Sequence, residues 1–558
     1  MPVALTPKAL DTLLYLIEHR GKVVTKEALL EAVWPDSQVE ENNLNQNISA
    51  LRRALGGPRS ENRFIVTVPG RGFNFVASVS TPAQPAATGA TALKTVAVLP
   101  FRPLVNADSD ASLELGMADT LIARLSTIRR LVVRPISSVR SYAQSDVNPL
   151  LAGQQLGVDS VLEGSLQKHG QKIRVTARLL NTASGKALWA GTFDEQFTDI
   201  FGLQDSIAEK VAKALEIQLS EADRTRLTKH HTASVEAYQL YLKGRFYWWK
   251  TDPHEFKMSR EYFHRAVEVD ADYALGYCGL NSFYGFSSAW GLLPPEEGWT
   301  KAEWAIRKAL ELDDTLAEVR LGMAALKMIN KDWAGAEAET VRGIELNPQF
   351  DEIHYFHSFL LMAAGRFDEA VVACRRALAC NPFSLRINLQ LANTFYLSRR
   401  FEEAVCQYRE TIEMNPDDAV SHERLGEVLE QMSKQSEAVE EWLHAATLAG
   451  DSEIARTIRS ASSKGFDKVV RDVARKKLER SSARIQRGEY VPSAQLARLY
   501  LMLGDKERAL GLLQKASDER NVYTLLVARD PLFDSLRGEP RFSKLLASMN
   551  YPKIGTQL

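Results

Sequence analysis

The chain has 558 residues, a formal net charge of −1, four cysteines and a 45% share of hydrophobic residues. That length calls for three or more domains, the charge balance gives the molecule as a whole no polyanionic partner, and so few cysteines exclude a disulfide scaffold. No apolar run reaches the roughly 18 residues of a membrane span, and Lys8 and Asp11 interrupt the start where a secretory signal would sit, so a soluble, cytoplasmic protein is expected.

The first 80 residues read as three helices and a hairpin. Thr6 caps the first helix, Pro7 opens it, Leu10, Leu13, Leu14 and Ile17 face inward, and Gly21 ends it. Val23-Val24 is a short extended piece. Thr25 caps a second helix with Ala28, Leu29, Ala32 and Val33 inward, and Trp34-Pro35 stops it. A third helix spans about 39–55 on a stripe of Leu44, Ile48, Leu51 and Leu55. Two extended runs, 64–68 and 73–76, flank the turn tetrad Pro69-Gly70-Arg71-Gly72.

The polar residues of the third helix are Asn42, Asn45, Gln46, Ser49, Arg52 and Arg53. Asn and Gln can bond adenine in two places, Arg can do so with guanine, and all can hold phosphates. Arg71 at the hairpin tip suits the minor groove or the backbone. Helices followed by a β-wing make a winged helix-turn-helix, an α+β DNA reader. Residues 1–80 carry nine Lys and Arg against eight Asp and Glu. Any footprint is therefore a local stripe, and a lone copy should bind weakly.

The pieces LTPKALDTLLYL, GKVVTKEALLEAVW, NNLNQNISALRRALG and FIVTVPGRGFNFV resemble the effector domain of OmpR/PhoB-type response regulators, in the variant of CadC-like one-component regulators. The resemblance covers about 75 residues and implies double-stranded DNA as partner. It also implies an RNA polymerase contact for the loop Pro35-Asp36-Ser37-Gln38. Family members usually begin with a small antiparallel sheet, and a chain starting at Met1-Pro2-Val3-Ala4 lacks most of it.

Residues 80–92, rich in Pro, Ala and Thr, read as a linker between the winged helix (1–79) and an α/β domain (93–221). A buried strand at 95–101 precedes a helix at about 112–126 with Leu113, Met117, Leu121 and Leu125 inward. A strand at 131–133, a short helix at 150–156 and an antiparallel meander of 160–168, 172–180 and 186–193 follow, then a helix over about 199–219. VAVLPF, LGVDSVLEGSLQKHGQKIRVTARLLNTASGKALWAGTFDEQ and DIFGLQDSIAEKVAKAL resemble a TolB-like domain. No phosphate-binding glycine loop or metal cluster is present. Asp159, Glu163 and Asp194 read as solvated strand-end charges rather than acid–base groups. No catalysis, cofactor or metal is expected, and sensing or docking is the role that fits.

From 234 to 558 the chain repeats. Ala309-Leu-Glu-Leu-Asp313, Gly343-Ile-Glu-Leu-Asn347, Ala377-Leu-Ala-Cys-Asn381 and Thr411-Ile-Glu-Met-Asn415 recur every 34 residues, as do Pro348, Pro382 and Pro416. Ala336, Ala370, Ala404 and Ala438 keep the step, as do Trp333, Phe367 and Phe401. This is the tetratricopeptide pattern, an all-α superhelix of six to eight hairpins. An insertion of nine residues is assigned to the loop 292–298, and the period lapses over 451–490. The cluster Tyr247, Trp248 and Trp249 is expected to pack on the α/β domain. The cysteines read as small buried hydrophobes. Such an array holds a protein, a peptide or a segment of its own chain.

The whole reads as a one-component transcriptional regulator that binds promoter DNA, with a dimer on DNA expected and no membrane contact. The alternative is a tetratricopeptide scaffold whose winged helix docks protein.

Overall fold

A computed structural model describes, of the first 92 residues, Thr12, Leu13, Tyr15, Leu16, 24–33, Leu44, Ile48, Leu51, 65–68 and 72–75. Beyond them it describes 94–552 apart from 104–109, 129, 145–146, 171, 218 and 249–252. The chain forms two compact units, Met1–Ala92 and Leu93–Leu558.

The second unit starts with a mixed sheet. Its strands are β3 (Lys94–Val98), β4 (Arg102–Pro103), β5 (Leu131–Val133), β6 (Ser160–His169), β7 (Lys172–Asn181) and β8 (Ala187–Gln196), numbered after the two strands of the first unit. The order is β5-β3-β6-β7-β8, with β3 parallel to β5 and β6, and the β6–β8 meander antiparallel. Leu113, Met117, Leu121 and Leu125 are buried on the helix Ala111–Leu125, as their spacing requires. The last helix ends early, at Ala214, and a further short helix covers Glu221–Leu227.

Asp159, Glu163 and Asp194 serve as local structure. The Asp159 carboxylate accepts from the Thr95 N–H at 2.9 Å and its hydroxyl at 2.8 Å, tying β6 to β3. Glu163 pairs with Arg178 and Asp194 with Arg174, each directly across neighbouring strands.

Helical hairpins then follow as far as Asp518. Between Ala317 and Met414 they alternate 13- or 14-residue helices at the 34-residue step. Asn347, Asn381 and Asn415 end the second helix of successive units, each donating its N–H to the carbonyl four residues back. Ala336, Ala370, Ala404 and Ala438 are fully buried, which lets paired helices approach. The earlier insertion is not a loop alone. The helices Ala274–Ala289 and Pro295–Leu312 run 16 and 18 residues, so most of the extra chain lengthens helices, and 295–298 are helical. The lapse in period at 451–490 still folds as a hairpin, Ser452–Ser462 against Phe466–Gln486. A longer helix is free to break the 34-residue spacing without breaking the packing.

Two expectations are corrected here. Tyr247 stacks on Tyr262 at 5.4 Å, and Trp248 packs on Phe256 and Phe286, all within the array, whereas Trp249 lies outside the described residues. Their neighbour Phe246 is the aromatic that turns to the α/β core. Cys278, Cys374 and Cys380 are buried, but Cys406 is exposed. Burial pushes the Cys380 thiol up to about 12.

The α/β domain and the array share one core. Tyr238 and Leu242, on the array's first helix (Val235–Trp248), belong to the core of the sheet domain. Gly116 permits this approach, since a Cβ there would lie 2.4 Å from the Leu242 side chain. The edge strand β5 is capped by one side chain: the Val133 N–H donates to Gln349 Oε1 at 3.0 Å, and Gln349 Nε2 donates to the Leu131 carbonyl. The Arg134 guanidinium donates to the carbonyls of Leu156 and Gly157 on one side and of Ala379 and Cys380 on the other. Ser138 donates to Asn381 Oδ1, and Asn381 Nδ2 donates to Ser137 and to the buried Asp351 carboxylate.

The C-terminal segment folds back on the array. Its Arg529 donates to the Ala364 carbonyl, Asp530 accepts from Arg498 and Tyr396, and Asp534 pairs with Arg399. Trp333 donates to the Met549 carbonyl at 3.0 Å. Leu525, Val527, Phe533, Leu536, Phe542, Leu545 and Met549 are buried along this segment. At about 1.5–3 kcal/mol for each such side chain, it is a built part of the fold and not a loosely held strap.

Candidate nucleic-acid interface

Thr12, Leu13, Tyr15 and Leu16 are helical, with Thr12 and Leu16 buried and Leu13 half-buried. The second helix, α2, covers Lys26–Val33. Thr25 begins it, its hydroxyl accepting the Ala28 N–H at 3.2 Å and its carbonyl the Leu29 N–H at 3.1 Å. Leu44, Ile48 and Leu51 are helical and buried, at the spacing of one helix face.

The wing is β1 (Ile65–Val68) antiparallel to β2 (Gly72–Phe75), with Val68 opposite Gly72. Val24 adds a third rung. Its N–H donates to the Phe73 carbonyl at 2.8 Å, and the Phe73 N–H returns the bond at 2.9 Å. The link between the first two helices is thereby fastened to the wing. Leu16, Val24, Leu29, Leu44, Ile48, Leu51, Ile65, Phe73 and Phe75 close one core.

Two details differ from the sequence reading. Leu16 is fully buried although it lies outside the expected inward set, while Ala32 is exposed rather than inward. On α2 the buried pair is Leu29 and Val33, one turn apart, and Ala32 falls off that stripe. Leu10, Leu14, Ile17 and Leu55 lie outside the described residues. So do all the candidate DNA-contacting residues, Asn42, Asn45, Gln46, Ser49, Arg52, Arg53 and Arg71, and the loop 35–38. What the structure supplies is the scaffold on which they are carried: a buried stripe and a fastened wing. Among the described residues no group of His, Cys, Asp and Glu is placed to hold a metal.

A three-helix core closed by a two-stranded wing defines a winged-helix protein. Residues 1–75 match the family "Transcriptional regulatory protein, C terminal", and residues 92–210 match "HilA/YgeH-like transcriptional regulator, second domain". The chain is a transcriptional regulator of the OmpR/PhoB type. It is 24% identical to the transcriptional regulator HilA of Salmonella typhi over 386 residues, 68% of this chain and 67% of that protein. The transcriptional activator CadC of Escherichia coli strain K12 is 32% identical over 78 residues, 14% of this chain and 15% of CadC. A putative adenylate cyclase 3 of Rhizobium meliloti is 27% identical over 220 residues, 39% of this chain and 37% of that protein.

Proposed function

We propose that the chain binds promoter DNA through the third helix and wing of its first unit, in the cytoplasm and without catalysis. The observation that carries this reading is the burial of Leu44, Ile48 and Leu51 under a wing fastened at Val24 and Phe73. By the helical spacing of the sequence, about 100° per residue, Asn42, Gln46, Ser49 and Arg53 fall opposite the positions of Leu44, Ile48 and Leu51, and Asn45 and Arg52 on their flank. Asn45 and Gln46 then read base edges, Arg52 and Arg53 hold guanine or phosphate, and Arg71 reaches the minor groove or backbone. The family supports this reading, and DNA binding is what it implies. The loop 35–38 is the candidate RNA polymerase contact by the same resemblance.

The near balance of charge in residues 1–80 supports a two-copy complex. One copy lacks the broad positive field that gives tight binding, so two copies occupy half-sites about one helical turn apart. The α/β domain and array form the signal-receiving and protein-binding part. The array already carries a segment of its own chain across the first helices of its hairpins, which leaves a protein partner the remaining faces.

Selection of bound sites from random duplexes by the full chain tests the proposal. A recurrent motif of two half-sites spaced by about one turn is the expected result. Recovery of sequences with no shared motif would contradict it.

A further inference from the structure

The six-stranded sheet has two edges, and they are treated differently. Gln349 covers β5 with a side-chain amide that bonds both Leu131 and Val133. At the other edge β8 runs ten residues, and among the described residues no strand pairs its outer side. Apart from Trp189, Gly191 and Phe193, its residues are exposed, including Leu188. A long open edge is a row of unpaired N–H and C=O groups, a template for another strand.

The charges near this edge divide into two sets. On the outer face Arg174 pairs with Asp194 and Arg178 with Glu163. Among the described residues, Lys186 and Glu195, at the two ends of β8, have no ion-pair partner. The register puts them on one face. Glu195 lies opposite the buried Ile173, and Trp189 opposite the buried Leu179. Leu188 is the extra residue of a bulge, because Leu179 faces Trp189 while Leu180 faces Ala187. Lys186, bonded across to Asn181, therefore returns to the face of Trp189 and Glu195.

We propose that β8 is the seam of a homodimer, pairing antiparallel with β8 of a second copy about a two-fold axis at Gly191. In this register Trp189 lies opposite Phe193 of the second copy. The bulge at Leu188 brings Lys186 opposite Glu195, so the two charges left unpaired within one chain satisfy each other twice. Gly191, with no side chain, sits where the strands meet on the axis. A displaced register would leave these charges unmatched. The occupant is a second copy because the edge is complementary to itself. The seam deepens the two-copy reading above by naming where the copies join.

The test uses the full chain without DNA, so its outcome is independent of DNA recognition. Sedimentation equilibrium at micromolar concentration should show a monomer–dimer equilibrium for the native chain. Glu195→Lys places Lys against Lys twice, and Lys186→Glu places Glu against Glu twice. Each should weaken self-association about tenfold or more, since cross-strand charge pairs act in this range. Mixed together, the two variants should form a heterodimer, because one strand then carries two acidic and the other two basic residues. The double variant Lys186→Glu/Glu195→Lys should restore the homodimer. Both positions are exposed, and unchanged thermal melts confirm that each variant is folded. A native chain that stays monomeric, or single variants that associate as the native chain does, would overturn the proposal. So would failure of the mixed variants to associate.

Discussion

In residues 1–92 the described core is one small cluster running from Leu16 to Phe75. In residues 93–558 the core of the sheet domain runs on into the array, through Leu227, Tyr238 and Leu242. The contrast in polar groups is sharper. In the larger unit, side chains with catalytic potential are committed to architecture. Arg134 bonds four carbonyls, Asp351 is held by Asn381, and Asp119 faces Arg245. Burial raises the Asp119 and Asp351 carboxyls above the usual range, and the array and sheet domain are fixed to each other through such groups. The described core of the smaller unit is small, and the proposed recognition face is carried on it. The shifted carboxyls Asp119 and Asp351 sit at joints between elements, beside Arg245 and Asn381.

The largest expected effect sharpens the comparison of cores. Phe73 carries both the rung to Val24 and a buried ring in a small cluster. Phe73→Ala should cost about 3–5 kcal/mol and abolish DNA binding. Scanning calorimetry should show the transition of residues 93–558 unmoved. A shift in that transition would break the division into two units.

Next comes the joint within the larger unit. Arg134→Ala leaves buried carbonyls of two elements without a donor and should cost about 3 kcal/mol. The α/β domain and array should still melt together in a single transition. Two separate transitions in the native chain would contradict the shared core.

A smaller, pH-dependent effect is expected at Glu430. Burial and the nearby Glu427 carboxylate raise its carboxyl to about 7. A carboxyl with a raised native value binds its proton more tightly when folded, so stability falls as pH rises from about 4.5 to about 7 and then levels. Glu430→Gln should therefore raise the melting temperature at pH 8 and leave it almost unchanged at pH 4. A gain of the same size at both pH values would contradict the assignment.

Much of the fold is written in short-range periodicity. Leu44, Ile48 and Leu51 announce a buried helix stripe, and Asn347, Asn381 and Asn415 announce the hairpin step. The antiparallel pairing of 65–68 with 72–75 follows from local chemistry in the same way. What is not legible depends on partners distant in sequence. Gln349 meets Leu131 across 218 positions, and Arg134 meets Cys380 across 246, with no local pattern to signal either contact. The burial of Leu16 and the exposure of Ala32 are not legible for a related reason. In helices dense with apolar residues, several stripes fit equally well, and only the tertiary neighbours choose among them. Trp248 illustrates the same limit, since an aromatic run points to a contact without saying which surface receives it. The candidate recognition residues come from one polar face and a resemblance, and their roles rest on that reading.

Titration of the full chain on a selected DNA site, at fixed salt, puts the central claim to its most direct test. Arg52→Ala and Arg53→Ala should each weaken binding by about 1–3 kcal/mol, and substitutions at Asn45 or Gln46 should change the preferred base at one position of each half-site. Affinity and base preference unchanged across all four variants would contradict the third helix as the reader of DNA.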